Sequence, residues 1–243
     1  MRIEELGQRG VGVSPYVDFH THRHRYQAYA GRTDVIAVQS VMYGPELPLP
    51  EANYVTLGIH PMQDDVQELV RRLRVEPDKL RADLMAEINA LGDRCCGIGE
   101  CGWDRRSVLS WEDQDALMAF HYALERDLGL PLVLHIVGGV HRLLALKSSV
   151  PSECVGWFYH GFRGKPATLA QLISAGVHVS LSPTHHTPKE IMMRSAEGLF
   201  FLETDDSDRD IETVYGEAAS LLDVDVSYLR DKLLGDFKIF LSK

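Results

Sequence analysis

Short apolar runs recur along the chain, and each is bounded by glycine, proline or polar residues. Runs of this length and composition are typical of buried parallel strands, which are apolar on both faces. The sequence predicts eight such strands, at residues 16–20, 35–41, 54–59, 96–100, 132–137, 155–159, 177–181 and 199–203.

Longer segments of mixed polar and apolar residues fill most gaps between these strands and are predicted as helices. One of them begins after Ser110, a capping residue followed by acids, and ends at Gly129 and Pro131, a typical helix stop. The predicted helices lie at residues 64–74, 78–91, 112–128, 140–148, 166–175, 188–196, 210–222 and 227–241.

Eight strands alternating with helices in a chain of 243 residues predict an α/β fold, a single TIM (β/α)8 barrel domain over residues 1–243. Two connections fit this plan badly. Residues 23–33 are few, and residues 42–53 contain three prolines, which exclude a regular helix. The first two outer helices are therefore predicted to be short or missing. Irregular chain, the N-terminal arm, the C-terminal helices or a partner subunit in a homo-oligomer would cover that flank.

Composition and charge narrow the class of protein. Apolar residues make up 45% and charged residues 25%, an ordinary balance for a soluble globular protein. The formal net charge of -10 disfavours binding a long duplex through the general field of the protein. The four cysteines form no CxxC pair, which favours a reducing, cytoplasmic setting. The sequence has no signal peptide pattern and no apolar run of the roughly 20 residues that a membrane span needs.

His20 and His22 stand at the end of the first predicted strand. Side chains two residues apart on an extended strand point to the same side, so both imidazoles can reach one metal ion. Later strands end in the same kinds of residue. These are His60, Glu100, His135, His160 and Asp205.

All strands of a parallel barrel finish at one face, where active sites lie, so these distant residues are expected to converge. Four imidazoles and two carboxylates are enough to hold two cations a few ångströms apart, with Glu100 as a possible bridge. His60 is less certain as a ligand, because the G-x-H-P context would also place it beside the metals.

The residues that carry this pattern resemble the TatD family of metal-dependent hydrolases. The match runs from about Asp18 to Asp205 in the family's order. It comprises D-F-H-T-H at residues 18–22, G-I-H-P at 58–61, G-I-G-E-C-G-W-D at 97–104, P-L-V-L-H at 131–135, H-G-F at 160–162 and L-E-T-D at 202–205. The resemblance implies a TIM barrel with a two-metal site, and many members of the family are described as deoxyribonucleases.

The same resemblance implies two sets of metal ligands that share Glu100. The sets are His20, His22, Glu100 and Asp205 for one ion, and Glu100, His135 and His160 for the other. It also implies that His60 lies close by and contacts the substrate, and that Asp104 supports the site without binding metal. Catalytic roles thus fall to Asp205, Glu100 and His60, with Asp205 accepting the proton of the attacking water or orienting that water.

Three departures from the family pattern lie in the loops rather than in the ligands. The family usually follows its strand-five histidine with Ser-Arg, whereas this chain has I-V-G-G at residues 136–139. The family's HCFSG becomes H-G-F-R-G at residues 160–164, and its TDxP becomes T-D-D-S-D at residues 204–208. Arg163 and Lys165 are candidates for a phosphate contact, and the alternative is that they are solvated loop charges. The substrate pocket is therefore expected to differ from the common one.

Three functions remain open. The first is a hydrolase of ester bonds, chiefly phosphodiesters in DNA or nucleotides, that uses a water activated by two metals. The second is an amidohydrolase or esterase for a small molecule that is not a nucleic acid, which the altered loops and the acidic charge favour. The third is a metal-binding protein without catalysis. Mixed histidine and carboxylate ligands suit Zn, Mn, Co or Fe, and weakly held Mg remains open. A small molecule or a short nucleic acid is the expected substrate.

Overall fold

The computed structural model describes residues 13–45, 48–150 and 156–242. Eight parallel strands form one sheet in the order of the chain, each paired with the next. The strands are β1 (Tyr16–Thr21), β2 (Val35–Met42), β3 (Tyr54–Gly58), β4 (Cys95–Asp104), β5 (Leu132–Val137), β6 (Trp157–Tyr159), β7 (Val177–Leu181) and β8 (Phe200–Leu202). Val155, the predicted first residue of β6, lies outside the described residues.

The last strand returns to the first and nearly closes the sheet into a barrel. The backbone N–H of Asp205, just after β8, donates to the carbonyl of His20 on β1 at 2.9 Å. Thr21 and Asp205 pair there as an isolated bridge. The predicted (β/α)8 barrel is therefore confirmed.

Helices follow most strands and cover the outside of the barrel. They are α1 (Arg23–Tyr26), α2 (Val66–Val75), α3 (Pro77–Leu91), α4 (Trp111–Leu128), α5 (Val140–Ser149), α6 (Pro166–Ser174), α7 (Lys189–Ala196), α8 (Ile211–Leu222) and α9 (Val226–Leu241). Most predicted boundaries differ from these by at most two residues. None of the helices in the described ranges is long and apolar enough to cross a membrane.

The flank beside β1 and β2 has little helix. A single turn, α1, and a short 3₁₀ helix at Gln27–Tyr29 follow β1, and the described residues between β2 and β3 contain no helix. Irregular chain covers this flank, because the hydroxyl of Tyr26 donates to the carbonyl of Glu51 at 3.1 Å and accepts from the N–H of Asn53 at 2.9 Å. The predicted shortage of outer helices is confirmed for the described residues.

β4 corrects one prediction, since it continues to Asp104 instead of ending at Glu100. Gly102 makes the extension possible because it pairs with His135 on β5 at very close range. A Cβ atom at Gly102, whose φ is +145°, would lie 2.1 Å from the carbonyl oxygen of His135. The longer strand carries Asp104 alongside the end of β5, where it meets the site described below.

The barrel interior is filled at the starts of the strands by aromatic rings, and α9 closes that end. The ring of Phe19 on β1 stacks on Phe201 of β8 with centroids 4.1 Å apart. Phe240 of α9 packs edge-on against Phe19 at 5.1 Å, and Phe237 packs against Tyr54, the first residue of β3, at 5.2 Å. The end of the barrel at which the strands begin is therefore a closed apolar layer. The polar residues converge at the other end, where the strands finish.

Candidate metal centre

Glu100 lies at the middle of the converging strand ends and is almost fully buried, with 3% of its surface exposed. Its Oε1 atom faces Nε2 of His20 at 3.3 Å and Nε2 of His22 at 3.6 Å. Asp205 completes this group, with Oδ1 3.3 Å from Nε2 of His22 and 3.9 Å from Nε2 of His20. The hydroxyl of Ser40 donates to Oε1 at 2.9 Å and fixes the carboxylate. We call His20, His22 and Asp205, around Oε1, the first pole.

The other oxygen of the same carboxylate faces three more imidazoles. Oε2 of Glu100 lies 2.8 Å from Nε2 of His160, 3.3 Å from Nδ1 of His135 and 3.5 Å from Nε2 of His60. We call these three histidines, around Oε2, the second pole. A single carboxylate therefore stands between two groups of ligand-type atoms, as a bridging ligand must.

Backbone packing between β4 and β5 brings Glu100 to this position. Gly99 precedes it with φ +157°, and a Cβ atom there would lie 2.3 Å from the carbonyl oxygen of Val133. Only glycine allows β4 to approach β5 so closely, because any side chain would collide with the neighbouring backbone. Asp205 on the opposite side adopts the left-handed conformation, with φ 56°.

Two imidazoles of the centre contain nitrogen atoms without hydrogen-bond partners among the described residues. His20 is fully buried, and neither of its ring nitrogens makes a hydrogen bond. Nδ1 of His160 is also buried without a hydrogen bond. A buried polar atom without a hydrogen bond destabilises the folded protein unless another partner satisfies it. A cation bound to the imidazole nitrogen would be such a partner.

Three overlapping groups have one ligand atom per residue within 4.8 Å of one another, a spacing suited to an ion. The groups are His20, His22 and Glu100; His20, His160 and Asp205; and His60, Glu100 and His135. Together they contain all the predicted ligands and His60. The donor set and the unpaired nitrogens thus fit divalent metals.

The electrostatics of the centre also favour positive charge. Burial alone would raise the pKa of Glu100, but the imidazoles of His160 and His20 hold that pKa well below its usual range. Burial would lower the pKa of His160, yet Glu100 raises it well above its usual value. Burial would raise the pKa of Asp205 too, but the hydrogen bond with His22 and the charge of His20 lower it. The carboxylates therefore stay ionised and attract cations.

Asp104 orients one ligand of the second pole. Its Oδ2 atom accepts from Nε2 of His135 at 2.9 Å, which leaves Nδ1 of that ring to face Glu100. Burial would raise the pKa of Asp104, but hydrogen bonds from Arg106 and His135 lower it below its usual range. A carboxylate behind a metal-ligating histidine fixes the tautomer and the orientation of the ring. This contact agrees with the supporting role expected for Asp104.

A second buried acid lies behind His160. Oε1 of Glu203 is 3.7 Å from Nδ1 of His160, and the hydroxyl of Ser180 donates to the other oxygen of Glu203. Glu203 is fully buried and its Oε1 atom has no hydrogen-bond partner among the described residues. The sequence analysis assigned Glu203 no role, although the residue stands only two positions before Asp205.

A cleft of about 750 Å³ opens over Glu100 and is lined by residues of both poles. This volume is in the range of sites that bind small molecules. Arg105, Arg106 and Arg163 line one side of the cleft, whereas Asp205 and Asp206 line the other. The predicted phosphate contact Arg163 is therefore in the cleft.

The structure brings together every predicted metal ligand and His60, but it separates the two predicted basic contacts. Lys165 is exposed just before α6 and does not line the cleft. Ser40 and Arg105 are among the neighbours of the site that were not predicted from the sequence. Their positions depend on which strands lie side by side, and no local sequence pattern contains that information.

Comparisons with known proteins identify the family of this chain. A family model described as TatD related DNase matches residues 46–213. The curated 3'-5' ssDNA/RNA exonuclease TatD of Rahnella sp. (strain Y9602) is 27% identical over 139 residues, which make up 55% of this chain. The chain spans about half of that relative's length, 47%.

Solved structures with the same fold cover nearly all of the chain. A TatD homologue from Escherichia coli K12 has a TM-score of 0.67 at 16% identity, covering 94% of this chain and 98% of its own. A hydrolase of the TatD family from Entamoeba histolytica has a TM-score of 0.70 at 12% identity, covering 93% and 97%. An uncharacterized amidohydrolase from Saccharomyces cerevisiae has a TM-score of 0.64 at 13% identity, covering 93% and 99%. At these identities the likeness establishes the fold.

Proposed function

Because the chain belongs to the TatD family of metal-dependent hydrolases, we propose that it cleaves phosphodiester bonds in short single-stranded nucleic acids or nucleotides. The observation that carries this proposal is the position of the Glu100 carboxylate, whose two oxygens face separate groups of ligand-type atoms. Two-metal sites of this kind act in many phosphodiesterases and nucleases. The similarity to a 3'-5' exonuclease for single-stranded DNA and RNA supports the same class of substrate.

His20, His22 and Asp205 would hold one divalent ion, and His135 and His160 would hold another. Glu100 would be shared between the two ions. Such ions would supply a water ionised near neutral pH and would neutralise the charge that develops on the phosphoryl oxygens. The first pole, with two carboxylates, also suits Mn or Mg, and the second, with His135 and His160 as its imidazole ligands, suits Zn or Fe.

The chain's own groups would position the reactants and move the proton. Asp205 is the candidate acceptor of the proton from the attacking water, because it borders the cleft and its carboxylate is held ionised. His60 lines the cleft beside Glu100 and would contact the substrate. The hydroxyl of Ser40 would keep Glu100 in the orientation that serves both poles.

Charge around the mouth limits the length of the nucleic acid. Three exposed acids follow Asp205 of the first pole in the sequence, Asp206, Asp208 and Asp210. A long duplex laid across this face would meet their repulsion, so we expect short or single-stranded ends to enter the cleft. The affinity for DNA should accordingly change little with salt concentration. A salt dependence that corresponds to about six or more phosphate contacts would contradict this expectation.

A second candidate function is hydrolysis of an ester or amide in a small molecule that is not a nucleic acid. The observation that favours it is the wall formed after His135, where Ile136, Val137 and Gly138 line the cleft without a charged side chain. Such a wall would suit an uncharged substrate better than a phosphodiester.

One panel of substrates distinguishes these candidates. The protein loaded with Mn or Zn is incubated with bis(p-nitrophenyl) phosphate, single-stranded, nicked and duplex DNA, p-nitrophenyl acetate and small amides. Turnover of the phosphodiester and of single-stranded DNA would support the first proposal. Turnover of the ester or the amides alone would support the second, and bound metal without turnover of any substrate would contradict both.

A further inference from the structure

The side of the cleft formed after β4, β5 and β6 carries two arginines that have no ion-pair partner among the described residues. Arg105 directly follows β4, and Arg163 lies between β6 and α6. Both are exposed and line the cleft. Neither makes an ion pair or a hydrogen bond through its guanidinium with any residue that the structure describes.

The neighbouring Arg106 shows the contrast. It also lines the cleft, but its guanidinium donates to Asp104 at 2.6 Å and 3.0 Å. Its charge is therefore already used in holding Asp104, and through Asp104 it stabilises the orientation of His135. Arg105 and Arg163 have no such internal role, which leaves their charges for a ligand.

Packing holds the stem of Arg105 against the end of β5. The backbone N–H of Arg105 donates to the carbonyl of Val137 at 2.9 Å. A Cβ atom at Gly138, whose φ is +80°, would lie 3.1 Å from Cδ and 3.3 Å from Cβ of Arg105. The missing side chain of Gly138 thus gives the aliphatic stem of Arg105 its place, and a guanidinium on a packed stem loses less entropy when it binds.

The opposite side of the cleft is acidic, so the cleft is polarised across Glu100. Asp205 and Asp206 lie on the side of β8 and β1, and the unpaired arginines lie on the side of β4 to β6. An anionic group entering the cleft would be drawn to the arginine side and repelled from the other. A planar guanidinium is the side chain best matched to the oxygens of a phosphate.

We propose that Arg105 and Arg163 form a subsite for a second phosphate of the substrate, one that is not hydrolysed. This inference rests on the proposed phosphodiesterase function, because the first phosphate would occupy the metal centre. The class of substrate is then a nucleotide or oligonucleotide end that carries a phosphate beyond the bond that is cleaved.

Two measurements test the subsite. The first compares kcat/KM for thymidylyl-thymidine without a terminal phosphate, with a 5′-phosphate and with a 3′-phosphate. The second compares the affinities of the metal-loaded protein for thymidine 3′,5′-bisphosphate and thymidine 5′-monophosphate by calorimetry. Both use the wild type, Arg105→Ala, Arg105→Lys, Arg163→Ala and, as a matched control, Arg126→Ala. Arg126 is another exposed arginine, near the end of α4 and outside the cleft.

In the wild type, one of the two phosphorylated dinucleotides should be preferred, and the bisphosphate should bind more tightly, each by about tenfold or more, as for a charge-assisted hydrogen bond to phosphate. Arg105→Ala and Arg163→Ala should each bring the kcat/KM ratio and the affinity ratio close to one. Arg105→Lys should retain part of both preferences, and Arg126→Ala should leave both unchanged. Ratios close to one in the wild type, or ratios that survive in both alanine variants, would overturn the subsite. A preference for the bisphosphate without hydrolysis of any dinucleotide would leave the subsite standing and refute the proposed reaction.

Discussion

The two poles of the centre share one carboxylate and differ in almost everything else. The first pole adds a second carboxylate, Asp205, to two imidazoles, whereas the second has three imidazoles and no carboxylate of its own. The mouth of the cleft repeats the difference, with acids beside the first pole and unpaired arginines beside the second. A cation is therefore attracted more strongly at the first pole, and an anion is attracted at the second. The acids and the exposed arginines of the cleft therefore lie on different sides of Glu100.

The largest effect should come from removing the element that both poles share. Glu100→Gln should reduce metal content from about two equivalents to near zero, and kcat/KM should fall by roughly 10³-fold or more, because the variant loses the negatively charged carboxylate that both poles share. Elemental analysis after metal loading measures the first quantity. His60→Ala is the control, since we expect its metal content to stay nearly unchanged. Equal metal loss in both variants would identify His60 as a true ligand.

Asp205→Asn should break the first pole and leave the second. We expect the metal content to fall from about two equivalents to about one, and kcat to fall by about 10²- to 10³-fold because the proton acceptor is lost. Titration with Mn, followed by paramagnetic resonance, reports how many ions remain bound. Loss of both ions together would show that the poles bind metal as one unit, which contradicts the comparison.

Asp104→Asn should weaken the second pole alone. The amide can no longer hold His135 as a carboxylate does, so we expect the affinity for the more weakly held ion to fall by about 10- to 100-fold. The affinity of the first ion should not change. Competition with a chromophoric chelator measures the two affinities separately, and an equal decrease in both would argue against a contact that serves only one pole.

His121 gives a third environment for comparison, an imidazole that must stay neutral. Its Nε2 atom accepts from the N–H of Ile59 at 3.0 Å, and its Nδ1 atom lies 2.7 Å from the carbonyl of Leu117, to which it donates. Burial lowers the pKa of His121 to about 4 from an ordinary 6.5. The unfolded chain binds this proton more readily than the folded protein does. The contribution of neutral His121 to the stability of the fold is therefore complete above pH 6.5 and is lost as the pH falls towards 4.

At pH 5.5 this histidine should reduce the free energy of unfolding by about 1 kcal/mol relative to pH 8. Urea unfolding of the metal-free protein at both pH values, in the wild type and in His121→Gln, measures the effect. The pH dependence should be smaller in His121→Gln by this amount. An identical pH dependence in the two proteins would mean that His121 does not titrate as its buried position requires.

The candidate ligands that the structure brings together could be predicted from the sequence because each stands where an apolar run ends. His20, Glu100 and His160 are conspicuous as polar residues beside buried strands, and parallel strands carry such residues to one face. The helices were predictable for a similar local reason, since Ser110 caps α4 through the N–H of Asp113 and Gly129 ends it in a left-handed conformation.

What the sequence does not contain is the set of contacts between strands. The prediction ended β4 at Glu100, yet the strand continues through Gly102, which is required by its contact with His135. The stem of Arg105 lies over Gly138 only because β4 and β5 are neighbours. The buried ring of His121 is held by a backbone N–H that lies 62 positions away. Each miss is a long-range contact without a local signature.

The closed apolar end of the barrel has a consequence for how the protein is made. The rings of Phe19 and Phe201 are covered by α9, which the ribosome synthesises after all eight strands. The end of the barrel with the candidate metal centre also forms late, because the carboxylate of Asp18 accepts hydrogen bonds from Thr204, 186 positions later in the chain. Contacts of such separation form slowly and leave apolar surface exposed in the meantime. Both ends of the barrel therefore stay incomplete in the nascent chain until the residues after β8 have been synthesised.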